Sequence, residues 1–133
     1  MRYAAVFAVA ASLGVAGVAS GASFDGTKAL VCTFESLAEC DTDALCQSVE
    51  SGEIDLPESI RVDFKGKRLR TDDGQRSSPI HSTDITDAVL IAQGSQNGRG
   101  WSMTIDRATG HMTGTIAEPA GAMVLFGTCA HAP

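Results

Sequence analysis

The chain has 133 residues, with ten Lys and Arg against sixteen Asp and Glu, for a formal net charge of −6. That length holds one small domain and excludes a nucleotide-binding fold joined to a separate substrate domain. The acidity argues against a nucleic-acid binder, because phosphate contacts need clustered Lys and Arg.

Residues 1–22 read as an export signal: Arg2 is the only charge, Ala4 to Ala19 is uncharged and apolar, and Ser20-Gly21-Ala22 supplies small residues before Asp25. The apolar run is short for a membrane-spanning helix, which needs roughly 20 residues. Cleavage after Ala22 leaves one domain, 23–133, with no stable membrane insertion. Its expected compartment is the periplasm or the cell exterior.

Four cysteines follow: Cys32, Cys40, Cys46 and Cys129. An even number in a small exported domain reads as a disulfide framework. We expect Cys40 to pair with Cys46 across the polar turn Asp41 to Leu45, and Cys32 with Cys129 to join the first and last apolar runs. Zinc motifs space their cysteines two to four apart, unlike these, so no metal and no cofactor are expected.

Alternation of apolar and polar residues, broken by turn chemistry, predicts an all-β antiparallel meander of seven or eight strands. Leu30 to Phe34 opens it. Leu45 to Val49 forms a second strand or one helical turn, and Ser51 to Glu58 is a linker. Ile60, Val62 and Phe64 share one face, and Lys65-Gly66 turns the chain with glycine at positive φ. Lys67 to Thr71 returns, and a loop runs to Ser78. Ile80 to Ile85 and Val89 to Gln93 follow, and Gln96-Asn97-Gly98 is the strongest hairpin signal. Trp101, Met103 and Ile105 alternate with polar residues, Asp106 to Gly110 is a longer turn, and Met112, Gly114 and Ile116 continue. Glu118 to Gly121 turns into Met123 to Phe126 and Cys129. Tying the end strands together suits a closed or nearly closed small barrel, with a two-layer sandwich as the alternative.

No catalytic constellation stands out. His81, His111 and His131 share no ligand spacing, and His131 is expected in a mobile tail. His81, Ser82 and Asp84 on one strand would point to opposite faces. Glu50, Glu53, Asp55 and Glu58 lack calcium-loop spacing. Charge is uneven: 25–59 holds nine acids and one base, whereas 60–76 holds six bases and three acids. The basic hairpin Lys65, Lys67, Arg68 and Arg70 is therefore a candidate surface for an anionic partner, such as a polysaccharide or an acidic protein groove, and a small ligand of the domain is the other expected partner. Arg99 and Trp101 join it as candidate binding residues. Trp101 stands beside a tight turn, although its alternation with Met103 and Ile105 favours the core.

The export signal, the cluster Cys32/Cys40/Cys46, the hairpin IRVDFKGKRLR, the stretch NGRGWSMTIDRATG and the ending LFGTC together resemble small secreted proteobacterial proteins with four cysteines. That resemblance implies a compartment and a plan but no activity. The plan is also similar to that of bacterial lysozyme inhibitors of the membrane-bound or C-type class, but their SGxxY/K motif is missing around Ser51-Gly52. The expected function is binding of a partner or ligand without catalysis. The alternatives are inhibition of an envelope or host enzyme through Lys65 to Arg70, and a small hydrolase or isomerase using Asp84, Asp106 or His111 in a barrel mouth.

Overall fold

The computed structural model describes residues 24–133; the expected signal at 1–22 lies outside them. Ten strands form one antiparallel sheet: β1 (Leu30–Cys40), β2 (Cys46–Val49), β3 (Ser59–Asp63), β4 (Arg68–Arg70), β5 (Ser77–Pro79), β6 (Ser82–Ile85), β7 (Val89–Gln96), β8 (Arg99–Asp106), β9 (His111–Glu118) and β10 (Gly121–His131). The order is β5-β4-β3-β1-β10-β9-β8-β7-β6, with β2 on the upper half of β1.

The meander is as expected; its closure and strand count are not. The sheet curls into an open half-barrel of ten strands rather than a closed barrel of seven or eight, and it is one sheet, not a sandwich. The expected strand Ile80 to Ile85 starts two residues later, as β6, and β5 forms just before it, at the end of the expected loop. β5 pairs with β4 at one edge, and after Ile80 and His81 the chain joins β7 at the other edge as β6. β5 and β7 lie side by side without a ladder between them. β5 has only three residues and ends in Pro79, which has no N–H to donate.

Alternation decides which face is inside. On β10, Met123, Leu125 and Cys129 are buried while Phe126 points outward. On β1 the register shifts between Phe34 and Ser36. Glu35 is the extra residue of this bulge, and it keeps both Phe34 and Leu37 facing inward. The core gathers Leu30, Cys32, Val62, Leu90 and Ile105 with their neighbours.

Both disulfides join residues directly opposite each other on paired strands, Cys32 with Cys129 and Cys40 with Cys46, each with Cα atoms 4.0 Å apart. That separation suits the closer, non-hydrogen-bonded kind of antiparallel pair. Such bridges belong to an oxidising compartment. No described helix is long and apolar enough to cross a membrane.

Local departures have local causes. Leu45 belongs to the turn before β2 and is 70% exposed. The expected linker contains a short 3-10 turn, Ser51–Glu53, where the Glu53 carboxylate accepts the Glu50 N–H at 2.7 Å. In the β3–β4 turn the positive φ falls on Lys67, not Gly66. Gly66 instead donates its N–H to Asp63 Oδ1 at 2.7 Å, and a Cβ there would meet that carboxylate. Asn97 and Gly98 both take positive φ, as a two-residue hairpin requires. His131 is part of β10 opposite Leu30, with its ring 4.7 Å from that of Phe24, so it is not a loose tail.

Candidate functional site

The strand registers put the turns at two ends of the half-barrel. Phe24, the β3–β4 turn and the β8–β9 turn lie at one end; the loops at 50–58, 71–76 and 97–98 lie at the other. The first end is plugged. The Phe24 N–H donates to the Arg107 carbonyl, and Arg107 Nε donates back to the Phe24 carbonyl at 2.6 Å. The Phe24 ring packs beside Gly110 and against the core.

The second end opens into a concave cavity of about 630 Å³, within the range of small-molecule sites. Phe34, Ile60, Leu69, Met103, Met112 and Leu125 make its floor. Phe34, Ile60, Leu69 and the wall residue Trp101 remain only half-buried, so apolar surface faces the opening. Leu56 and Pro57, from the expected linker, complete the wall.

Trp101 is both a packing residue and a wall of the site. Its indole lies against Gly94 on the paired strand β7, where a side chain would collide with it. Its Nε1 donates to Ser78 Oγ at 2.9 Å. This bond holds β8 against β5 across the unpaired gap.

Arg76, Arg99 and Asp55 bring charge to the cavity lining, and Arg70 borders it from β4, where it follows the inward Leu69 and so shares a strand face with Arg68. Arg76 Nη1 donates to the Asp55 carbonyl at 3.0 Å and lies 3.5 Å from its carboxylate. Arg99 Nε donates to Glu118 Oε2 at 2.8 Å. Arg70 makes no ion pair or side-chain hydrogen bond among the described residues. In the loop beside Arg76, the Thr71 hydroxyl and the Gln75 N–H donate to Asp73 and hold its carboxyl below the usual carboxylate range.

Of the expected binding residues, Arg99 and Trp101 therefore share the inner face of β8 at the cavity, whereas Arg70 only borders it, on the β4 face that it shares with Arg68. Lys65, Lys67 and Arg68 do not line it. Lys65 and Lys67 belong to the turn at the plugged end, and Arg68 donates to Ser77 Oγ at 3.1 Å on the outer face. Arg76 was not singled out from sequence. It reaches the site through Asp55, 21 residues away, and no local pattern signals such a contact.

The residues of the enzymatic alternative do not converge on the cavity. Asp84 is exposed on the edge strand β6. Asp106 accepts the Thr109 and Ala108 N–H groups, which lower its pKa. His111 is exposed at the start of β9. His81 Nδ1 lies 3.5 Å from Ser95 Oγ on the exposed side of the β6–β7 edge. Among the described residues, no three His, Cys, Asp or Glu side chains are grouped to hold a metal. Comparison with protein-family models, curated proteins and solved structures finds no match to this chain.

Proposed function

We propose that this is a non-enzymatic binding domain of the periplasm or cell exterior, holding a small, largely apolar ligand in the open end of the half-barrel. One observation carries the reading: the floor and wall leave large side chains half-covered in a concave space of about 630 Å³, while the other end is plugged by the chain itself. Water against such a surface is displaced at a gain of roughly 25 cal/mol per Å². The two disulfides and the hairpin turns keep the cup rigid before the ligand arrives, so little ordering is needed on binding.

Titration with the neutral probe N-phenylnaphthylamine tests this. The folded protein is expected to bind one probe saturably and raise its emission. Ile116→Arg, which puts a charge on a half-buried wall position, should remove the signal while far-UV circular dichroism stays unchanged. Probe emission that does not saturate, or that survives Ile116→Arg, would refute the reading. Native mass spectrometry of protein isolated without reducing agent then reads any co-purified ligand as a dissociable added mass.

A further inference from the structure

Resting on that reading, we infer that the ligand is a compact, neutral, planar aromatic molecule, seated against Phe34 and Trp101 over the thioethers of Met103 and Met112. The first reason is depth. Along β8 the inward residues run from Arg99 at the mouth through Trp101 in the wall to Met103, which is 4% exposed. The next inward residue, Ile105, is fully buried and no longer lines the cavity. On β3 the same change comes between Ile60, half-buried at the cavity, and Val62, fully buried. The four residues from Arg99 to Met103 span about 14 Å at most. So short a cup takes a compact molecule and leaves much of a long alkyl chain in water.

The second reason is what the lining is made of. Among the described residues the aromatic side chains are Phe24, Phe34, Phe64, Trp101 and Phe126. Phe24 plugs the far end, Phe64 is buried in the core and Phe126 points outward. Phe34 and Trp101 stay half-buried at the cavity. They stand on β1 and β8 with β10 and β9 between them, so the curl brings them to the cup from different sides. Gly114 on β9 leaves open the room beside Leu125 Cδ1 and Met112 Sδ that a side chain would take. Aromatic rings and thioethers attract a flat π-system beyond the area they bury, whereas a saturated ring gains the area alone. Trp101 is already held by Gly94 and by its bond to Ser78 Oγ, so it needs no ordering on binding.

The third reason is charge. The two arginines that reach the mouth are each paired, Arg76 with Asp55 and Arg99 with Glu118. A charged ligand would therefore lose water without meeting a free counter-ion. A sugar fits worse than an aromatic, because the apolar floor offers its hydroxyls no partners.

The test measures binding of 2-naphthol and of decahydro-2-naphthol to the intact disulfide-bonded protein by equilibrium dialysis at neutral pH. Both carry one hydroxyl on the same carbon skeleton. The saturated molecule is the more hydrophobic, so burial alone ranks it equal or tighter. 2-Naphthol is expected to bind about threefold to tenfold more tightly, the range for one aromatic contact. Phe34→Leu and Trp101→Leu keep the cup apolar and should each bring that ratio towards one, with the fold checked by circular dichroism. A ratio unchanged in both variants would overturn the seat. Decahydro-2-naphthol binding as tightly as 2-naphthol in the unmodified protein would overturn the aromatic assignment and leave the cup standing. Binding of neither would overturn the inference, and loss of saturable N-phenylnaphthylamine binding as well would overturn the cup. Among n-alcohols, affinity should level off by 1-decanol; a continued rise to 1-dodecanol would overturn the compact size. Tighter binding of 2-naphthoate than of 2-naphthol would overturn neutrality.

Discussion

The two disulfides should differ in their effect on stability, and the difference follows from the topology. Cys32–Cys129 closes a sequence separation of 97 residues and Cys40–Cys46 one of 6. In the chain-entropy model the bridges contribute about 4.7 and about 2.2 kcal/mol respectively, a gap of about 2.5 kcal/mol. Burial acts in the same direction. Cys32 and Cys129 are 0% and 2% exposed, so alanines there also leave unfilled core volume, whereas Cys46 is exposed on a short hairpin. The assay is urea unfolding of Cys32→Ala/Cys129→Ala and Cys40→Ala/Cys46→Ala against the oxidised parent. With a urea slope of about 1–3 kcal/mol/M, the two midpoints should differ by on the order of 1–2 M. A core-bridge variant already unfolded without urea would agree, since a domain has only about 5–15 kcal/mol to lose. Equal midpoints, or a larger loss from the hairpin pair, would refute the argument.

Three further outcomes follow from the same contacts. Gly94→Ala puts a Cβ 2.5 Å from the Pro79 carbonyl oxygen and 2.5 Å from Trp101 Cζ2; it should cost roughly 1–3 kcal/mol and shift the tryptophan emission, and unchanged emission would argue against the stacked placement. Arg107→Ala removes the guanidinium that holds the carbonyls of Phe24 and Thr86; thermal unfolding should show a loss of about 1–3 kcal/mol, and hydrogen exchange at the Phe24 amide should accelerate. Asp25, Asp73 and Asp106 have folded pKa values below the ordinary carboxylate value, held down first by hydrogen bonds from Thr27, Thr71 and Thr109. A lowered folded pKa means that the unfolded chain binds more protons, so stability rises with pH and is lost as pH falls through the folded values. Urea midpoints should therefore drop below about pH 4, and Asp106→Asn should shallow that drop; an unchanged acid slope would contradict it.

Strands with clean alternation were legible one residue at a time. Ile60, Val62 and Phe64, and Trp101, Met103 and Ile105, read correctly because a strand's period of two puts them on one face whatever lies beside them. Asn97-Gly98 read correctly because few residues accept the two positive φ angles of that turn. The bulge at Glu35 was not legible: an extra residue shows only against a partner, and that partner is β10. Half of the candidate site was legible for a similar reason. Arg99 and Trp101 declared themselves by charge and by a neighbouring turn, but nothing near Lys65 and Lys67 says that their turn lies at the opposite end from the cavity.

By itself the sequence indicated the all-β class, the antiparallel meander and the Cys40–Cys46 bridge, because periodicity, turn residues and a six-residue spacing are local quantities; the expected Cys32–Cys129 bridge, across 97 residues, is settled by the pairing of β1 with β10. The tertiary structure alone decided that the sheet stays open, that Ser77 to Ile85 serves both edges, and that an apolar floor ends beneath the ion pairs Arg76–Asp55 and Arg99–Glu118. Those outcomes depend on contacts between residues far apart in the chain, such as Trp101 with Ser78 and Arg76 with Asp55. The first of these forms only when the curl of the sheet brings β5 beside β7.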